Sequence, residues 1–161
     1  PAEPGADEIG PYADAGEDTY GFETRGVFKY VCVLDGLASV GADTFLWEQI
    51  AGIGVSLRGP NTATCDFDAP AWDGSTELTK AEARLRFRLT INQGGADEDS
   101  DEVEIYVRIP GDANGDDNVN AFDLARIRQY DASADFDGND LVNAFDLAIL
   151  RQNSGRNRTV D

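Results

Sequence analysis

The sequence predicts a mainly β protein, an antiparallel β-sandwich with a small C-terminal α module, and three observations predict it. Two long runs past the middle of the chain alternate apolar and polar residues with a period of two. Four further short apolar runs lie upstream, separated by turn residues. Near the C-terminus two acidic stretches, GDANGDDNVNAFDLARIRQ from Gly111 and ADFDGNDLVNAFDLAILRQ from Ala134, say almost the same thing, and each leads into an apolar helical pattern.

Taken in order, VFKYVCVLDG, DTFLWEQI, GVSLRG and NTATCDF read as four short strands between Gly21 and Ala69. ARLRFRLTIN from Ala83 places Leu85, Phe87, Leu89 and Ile91 on one face and Arg84, Arg86, Arg88 and Thr90 on the other. EVEIYVRI from Glu102 likewise turns Val103, Ile105, Val107 and Ile109 inward, and the Gly-rich acidic NQGGADEDSD joins the two runs as a hairpin. Alternation with one polar face marks an antiparallel sheet packed on one side, and several short strands at this spacing argue a sandwich. The chain divides into an N-terminal extension at 1–10, the sandwich at 11–110, the loop-helix module at 111–153 and a tail at 154–161. Ile109, Pro110 and Gly111 join sandwich to module with no linker, so the sequence predicts a rigid two-part block.

The duplicated loop carries the chemistry. Calcium takes roughly six to eight oxygen ligands, and a twelve-residue loop supplies them from positions 1, 3, 5, 7 (through its backbone carbonyl), 9 and 12. In the first repeat these are Asp112, Asn114, Asp116, Asn118, Asn120 and Asp123; in the second they are Asp135, Asp137, Asn139, Leu141, Asn143 and Asp146. Leu141 is compatible because a carbonyl ligand needs no particular side chain. The pattern D-x-[DN]-x-[DN] is matched twice in register, with a carboxylate at position 12 both times, so two calcium sites are expected. A pair of solvated Asx turns is the bland alternative. Position 6, usually Gly, holds Asp117 and Asp140, which must then take a left-handed or strained conformation, and Gly115 and Gly138 at position 4 are candidates to relieve the turn. Phe122, Leu124 and Ile127, then Phe145, Leu147, Ile149 and Leu150, give a helix after each loop, and nothing helical precedes either.

A calcium loop with only its exiting helix, duplicated, with Val119 and Val142 at position 8 and Phe122 and Phe145 at position 11, resembles the dockerin type I repeat over about residues 111–153. That resemblance implies an EF-hand-like pair of loops docking on a cohesin-like domain. It places Ala121, Phe122, Ala144 and Phe145, with Arg126, Arg128 and Arg151 on the helices, at the partner surface. Ala-Phe differs from the small hydroxyl pair of cellulosomal dockerins. Upstream, ADAGED, VLDG, FLWEQIAGIGVSLRGPNTATCDFDAP, LRFRLTINQGG and DEVEIYVRI, in that order, are similar to the PKD-type immunoglobulin-like domain. That family implies a structural, adhesive sandwich without catalysis. On that alignment Trp47 is a core aromatic on the third strand. Cys32 and Cys65 fall on neighbouring strands as a disulfide candidate, and Trp72 sits in a loop as the better candidate for a contact surface.

Composition narrows the function. A formal net charge of −18 argues against nucleic acid and anionic membranes as partners. No apolar run approaches a membrane span. The chain begins at Pro1 and has no Met, which reads as a processed or excised segment. With no His, nucleophilic catalysis lacks its usual base, and zinc lacks its usual ligands, so the expectation is a non-catalytic protein. Abundant carboxylates make any glycosidase-like pair uninformative. The acidic run Asp97, Glu98, Asp99, Asp101 and Glu102 reads as a solvated hairpin tip rather than a third cation site. Asn157-Arg158-Thr159 matches the N-glycosylation acceptor pattern. Loops tuned to millimolar calcium suit an extracellular compartment. The leading expectation is a secreted or cell-surface calcium-binding assembly protein of prokaryotic type, a surface-layer, stalk or filament subunit, engaging copies of itself through the module and the segment PAEPGADEIG. The alternatives are the spacer and dockerin of a larger secreted hydrolase that docks on a cohesin, and a carbohydrate-binding module.

Overall fold

The computed structural model describes residues 10–25 and 29–161. All but the last residue of the segment PAEPGADEIG therefore lies outside the described residues. Strands form at Thr19–Phe22 (β1), Val31–Asp35 (β2), Phe45–Ala51 (β3), Thr64–Asp68 (β4), Arg84–Ile91 (β5) and Asp99–Arg108 (β6). A single helical turn, Lys80–Ala83 (α1), precedes β5, and two helices, Ala121–Arg128 (α2) and Ala144–Asn153 (α3), follow the acidic loops. The protein is mainly β. One sheet has the order β1-β6-β5-β3 and the other pairs β2 with β4.

Alternation in sequence becomes burial in the fold. In the β5–β6 hairpin Leu85 lies opposite Ile105 and Phe87 opposite Val103, and all four side chains are buried. Trp47 on β3 lies opposite Leu89 of β5 and is buried, as expected of a core aromatic. In the smaller sheet Cys32, Leu34, Cys65 and Phe67 face inward. Phe67 meets Phe87 of the larger sheet with ring centroids 5.0 Å apart, so the two inner faces share one core. On the outer face Glu102 accepts hydrogen bonds from Arg86 at 2.7 Å and Arg88 at 2.9 Å; such exposed pairs each contribute about 0.2–1 kcal/mol.

The structure differs from the sequence reading in several places. GVSLRG is not a strand: it makes an isolated bridge from Arg58 to Asp66, and the side chain of Gln49 satisfies the backbone of its approach. Gln49 donates to the carbonyls of Ala51 and Ile53 and accepts from the amide of Val55, which removes the need for a ladder. The disulfide candidate fails on register. Cys32 lies opposite Phe67 while Leu34 lies opposite Cys65, so the two cysteines are diagonal neighbours, about 7–8 Å apart in such sheets, and both are free. The acidic run is solvated at its tip, where Asp97 and Glu98 are exposed, but its later residues are engaged. Asp99 accepts the amide of Ala13 and Asp101 that of Ala15, each at 2.8 Å, which fastens the N-terminal segment to the start of β6.

The chain forms two compact units, and their limits differ from the division at Pro110. One holds the residues up to Tyr20 with Val31–Asp68 and Arg84–Tyr106; the other holds Gly21–Tyr30, Ala69–Ala83 and Val107–Asp161. The second unit thus recruits two segments that the alternation pattern had assigned to the sandwich, together with the whole of the supposed tail. Its core includes Phe22, Val107, Ile109, Val119, Phe136, Ile149 and Leu150. At Gly111, with φ 109°, a Cβ would lie 2.8 Å from a methyl of Val119 and 3.2 Å from the Cα of Leu150, so only glycine admits this close approach.

Two outcomes are expected. Burial pushes the Cys32 thiol up to about 12, so at pH 8 neither cysteine should react with a thiol reagent until the protein is unfolded, when both should. Phe87→Ala should cost about 3–5 kcal/mol in urea unfolding, the range for deleting a fully buried aromatic.

Candidate metal centre: a duplicated acidic loop

Both acidic loops fold to the same backbone, and a carboxylate at each end gathers it. Asp112 Oδ1 accepts the amides of Gly115 at 2.8 Å and Asp116 at 3.1 Å, and its Oδ2 accepts that of Asp117 at 3.0 Å. Asp135 repeats this with Gly138 at 3.0 Å, Asn139 at 3.2 Å and Asp140 at 2.8 Å. At the far end Asp123 accepts the amides of Ala113 at 2.8 Å and Asn120 at 2.8 Å, and Asp146 those of Phe136 and Asn143, both at 2.8 Å. Positions 4 and 6 are left-handed in both loops: Gly115 and Asp117 have φ of 75° and 64°, Gly138 and Asp140 of 72° and 65°. Asp tolerates that region better than most residues, which is why the turn survives without glycine at position 6.

Each loop hands over to its helix through a reciprocal cap. Asn120 and Asn143 accept the amides of Phe122 and Phe145, while Asp123 and Asp146 reach back to the cap amides. The negative carboxylate in the first turn also complements the positive helix end. The expected helices are present, and the residues at position 12 serve loop closure and helix capping at once.

Three of the sequence-derived ligands converge in the second loop, whereas among the described residues the carboxylates of the first loop form no such cluster. Carboxylate oxygens of Asp135, Asp137 and Asp146 lie within 4.8 Å of one another, the spacing at which one ion touches all three. The first loop has Asn114 in place of the second carboxylate and Asp116 in place of Asn139, so each loop carries three acids among positions 1, 3, 5 and 12. Burial pushes Asp112 up to about 6, against the pull of its three amide donors. Asp137 is raised as well, by burial first and then by Asp135 and Asp146 beside it. Carboxylates held together against their own repulsion are what a bound cation would relieve. Of the remaining positions, Asn118 and Leu141 are exposed at their side chains and offer backbone carbonyls.

The residues that the dockerin resemblance places at a partner surface are all exposed: Ala121, Phe122, Arg126 and Arg128 on α2, Ala144, Phe145 and Arg151 on α3. Phe122 is 75 % exposed and Phe145 73 %, which is unusual for phenylalanine in a folded protein. Beside the second loop a cleft of about 270 Å³ is lined by Arg25, Lys29, Tyr30, Phe136, Asp137 and Phe145, among others.

A buried ion cluster escaped the sequence reading. Glu23 accepts hydrogen bonds from Arg156 at 2.7 Å and Arg158 at 3.0 Å, with no solvent exposure at the side chains of Glu23 or Arg158. Arg156 also holds Glu77 at 2.7 Å, and Arg158 donates to the carbonyl of Val107 at 2.9 Å and to Asp117 at 3.3 Å. Burial raises the Glu23 carboxyl, and the two guanidinium groups oppose that rise. Trp72 is not the open contact surface expected: its ring is half-buried with the Arg156 guanidinium 3.9 Å from the ring centroid. The signal available in sequence was scarcity. A chain with 13 basic residues against 31 acidic ones places Arg156 and Arg158 two apart in its last six residues.

No protein-family model matches the chain, and no curated protein matches it. Among solved structures it is similar to the PKD domain from KIAA 1837 protein, at 25% identity and a TM-score of 0.46, over 65% of this chain and 93% of that one. It is also similar to a nucleoside hydrolase-related hypothetical protein from Saccharophagus degradans that is associated with carbohydrate metabolism. That match has 12% identity and a TM-score of 0.40, over 62% of this chain and 25% of that one. A third is a 2,6-sialyltransferase of a Vibrionaceae Photobacterium species, at 11% identity and a TM-score of 0.39, over 62% of this chain and 18% of that one.

Removing one partner of the buried cluster strands the others. Arg158→Met should therefore destabilise the protein by about 3–5 kcal/mol in chemical unfolding.

Proposed function

We propose that the protein is a non-catalytic, extracellular calcium-binding assembly protein, a surface-layer, stalk or filament subunit, in which two ions set the shape of a dockerin-like interaction surface. One observation supports this reading: the same loop geometry occurs twice, with carboxylates at positions 1 and 12 accepting the equivalent backbone amides in each loop. The donors are carboxylates, amide oxygens and carbonyls, a hard set that suits calcium and offers no nitrogen or sulfur to softer metals. Asp112, Asn114, Asp116, Asn118, Asn120 and Asp123 would hold one ion, and Asp135, Asp137, Asn139, Leu141, Asn143 and Asp146 the other. A bound ion supplies the positive charge that these crowded carboxylates lack.

The partner side of the proposal rests on Phe122 and Phe145. They occupy equivalent positions at the start of α2 and α3, and both stand in solvent next to a small Ala. An exposed aromatic at the same place in each repeat, flanked by arginines, fits a protein-protein contact, where aromatic and Arg residues supply most of the binding energy. Among the described residues no helix is long and apolar enough to cross a membrane.

Calcium at a hundred times its dissociation constant should add about 2.7 kcal/mol of stability per site, and EGTA should remove it. If chelation left both the melting temperature and the state of association unchanged, the proposal would fail. Phe122→Ala combined with Phe145→Ala should abolish association in sedimentation analysis while calcium binding, followed by calorimetry, is retained.

A further inference from the structure

The exit of the first acidic loop is held by the C-terminal residues. Val119, at position 8 of the first loop, donates its amide to the carbonyl of Arg156 at 3.0 Å and accepts the amide of Gly155 at 2.9 Å. One residue earlier Asn118 bridges Asn157, and at position 6 Asp117 accepts the amide of Arg158 at 2.9 Å. Loop residues 117–119, which include the position-7 carbonyl, are therefore zipped to residues 155–158. That zipper aims Arg156 and Arg158 at Glu23.

Glu23 in turn belongs to a segment that rests on the second loop. Its neighbour Phe22 packs edge-on against Phe136, at position 2 of that loop, with centroids 5.2 Å apart. Tyr30, whose amide donates to the hydroxyl of Thr24, lays its ring on Gly138, where an added Cβ would come within 3.3 Å of it. Phe136 is also the residue whose amide donates to Asp146, at position 12 of the second loop. A chain of contacts, buried at its centre, thus links the first loop through residues 155–158 to Glu23, where Arg156 and Arg158 meet, and through the adjacent Phe22 to Phe136 of the second loop.

Resting on the calcium reading above, we infer that the two loops bind their ions cooperatively, and that the coupling passes through the buried Glu23-Arg156-Arg158 cluster. The two states differ in whether the zipper at 117–119 and 155–158 is closed. With it closed, Glu23 is neutralised and the segment bearing Phe22 and Tyr30 is seated against the second loop. With it open, a carboxylate buried without partners disfavours that seating. An ion at either loop stabilises the closed state, and by linkage each ion then favours the other equally.

The test is calcium titration by calorimetry on the full chain, in four forms: the native chain, Asp116→Ala, Glu23→Gln, and the two substitutions combined. Asp116→Ala cripples the first loop only. It should weaken calcium binding at the second loop by about tenfold in the native background, and by less than twofold when Glu23 is already Gln. An unchanged second-loop affinity in Asp116→Ala overturns the inference, and so does a tenfold loss that persists with Glu23→Gln. If Glu23→Gln does not fold, amide exchange of Asp116→Ala decides the question. Filling the second loop alone should slow exchange at Val119, Gly155 and Arg158 by about tenfold, and no change there overturns the coupling. A native chain that takes up no calcium at all removes the metal reading itself, and the coupling with it.

Discussion

Carboxylate oxygens accepting backbone amides are the interaction on which this protein depends. A chain with 31 acidic residues has far more acceptors of this kind than its 13 basic residues can neutralise, and it uses them where a ladder or a helix leaves an amide unmet. Asp99 and Asp101 take the amides of the N-terminal segment, Asp112 and Asp135 close the acidic loops, and Asp123 and Asp146 cap the helices. A charge-assisted bond to a backbone amide stabilises more than a neutral one. Each such bond also fixes a loop that has little apolar surface of its own to bury.

The same excess explains where the cations go. Arg86 and Arg88 clamp Glu102 across the outer face of the hairpin, and Arg58 pairs with Asp66 and Asp68 on β4. These exposed pairs contribute little to stability. Arg156 and Arg158 differ because they are buried around Glu23, and a buried pair specifies an arrangement more than it strengthens one. They convert the last residues of the chain from a tail into part of the second unit's core. Only a guanidinium could do this, since Arg156 engages two carboxylates and a tryptophan face together.

Legibility in the sequence followed the range of the interaction. The β5–β6 hairpin, the turns of the two loops and both helices are periodic or local, and their residues are legible in the sequence. Loop spacing alone asks Asp117 and Asp140 for a left-handed or strained conformation, and they lie in the left-handed region. GVSLRG failed because the side chain of Gln49, not a neighbouring strand, meets its backbone. Cys32 and Cys65 failed by two residues of register, which neither spacing nor alternation specifies.

By itself, then, the sequence determined which segments alternate, where the two loops turn and which carboxylates close them, because all of these are set by contacts within about a dozen residues of chain. Only the tertiary structure decided that segments 21–30 and 69–83 join the loop-helix module rather than the sandwich, and that the C-terminal arginines are buried. Those choices turn on ion pairs between residues more than seventy positions apart, as from Glu77 to Arg156 and from Glu23 to Arg158, for which no period or motif in the chain encodes a partner.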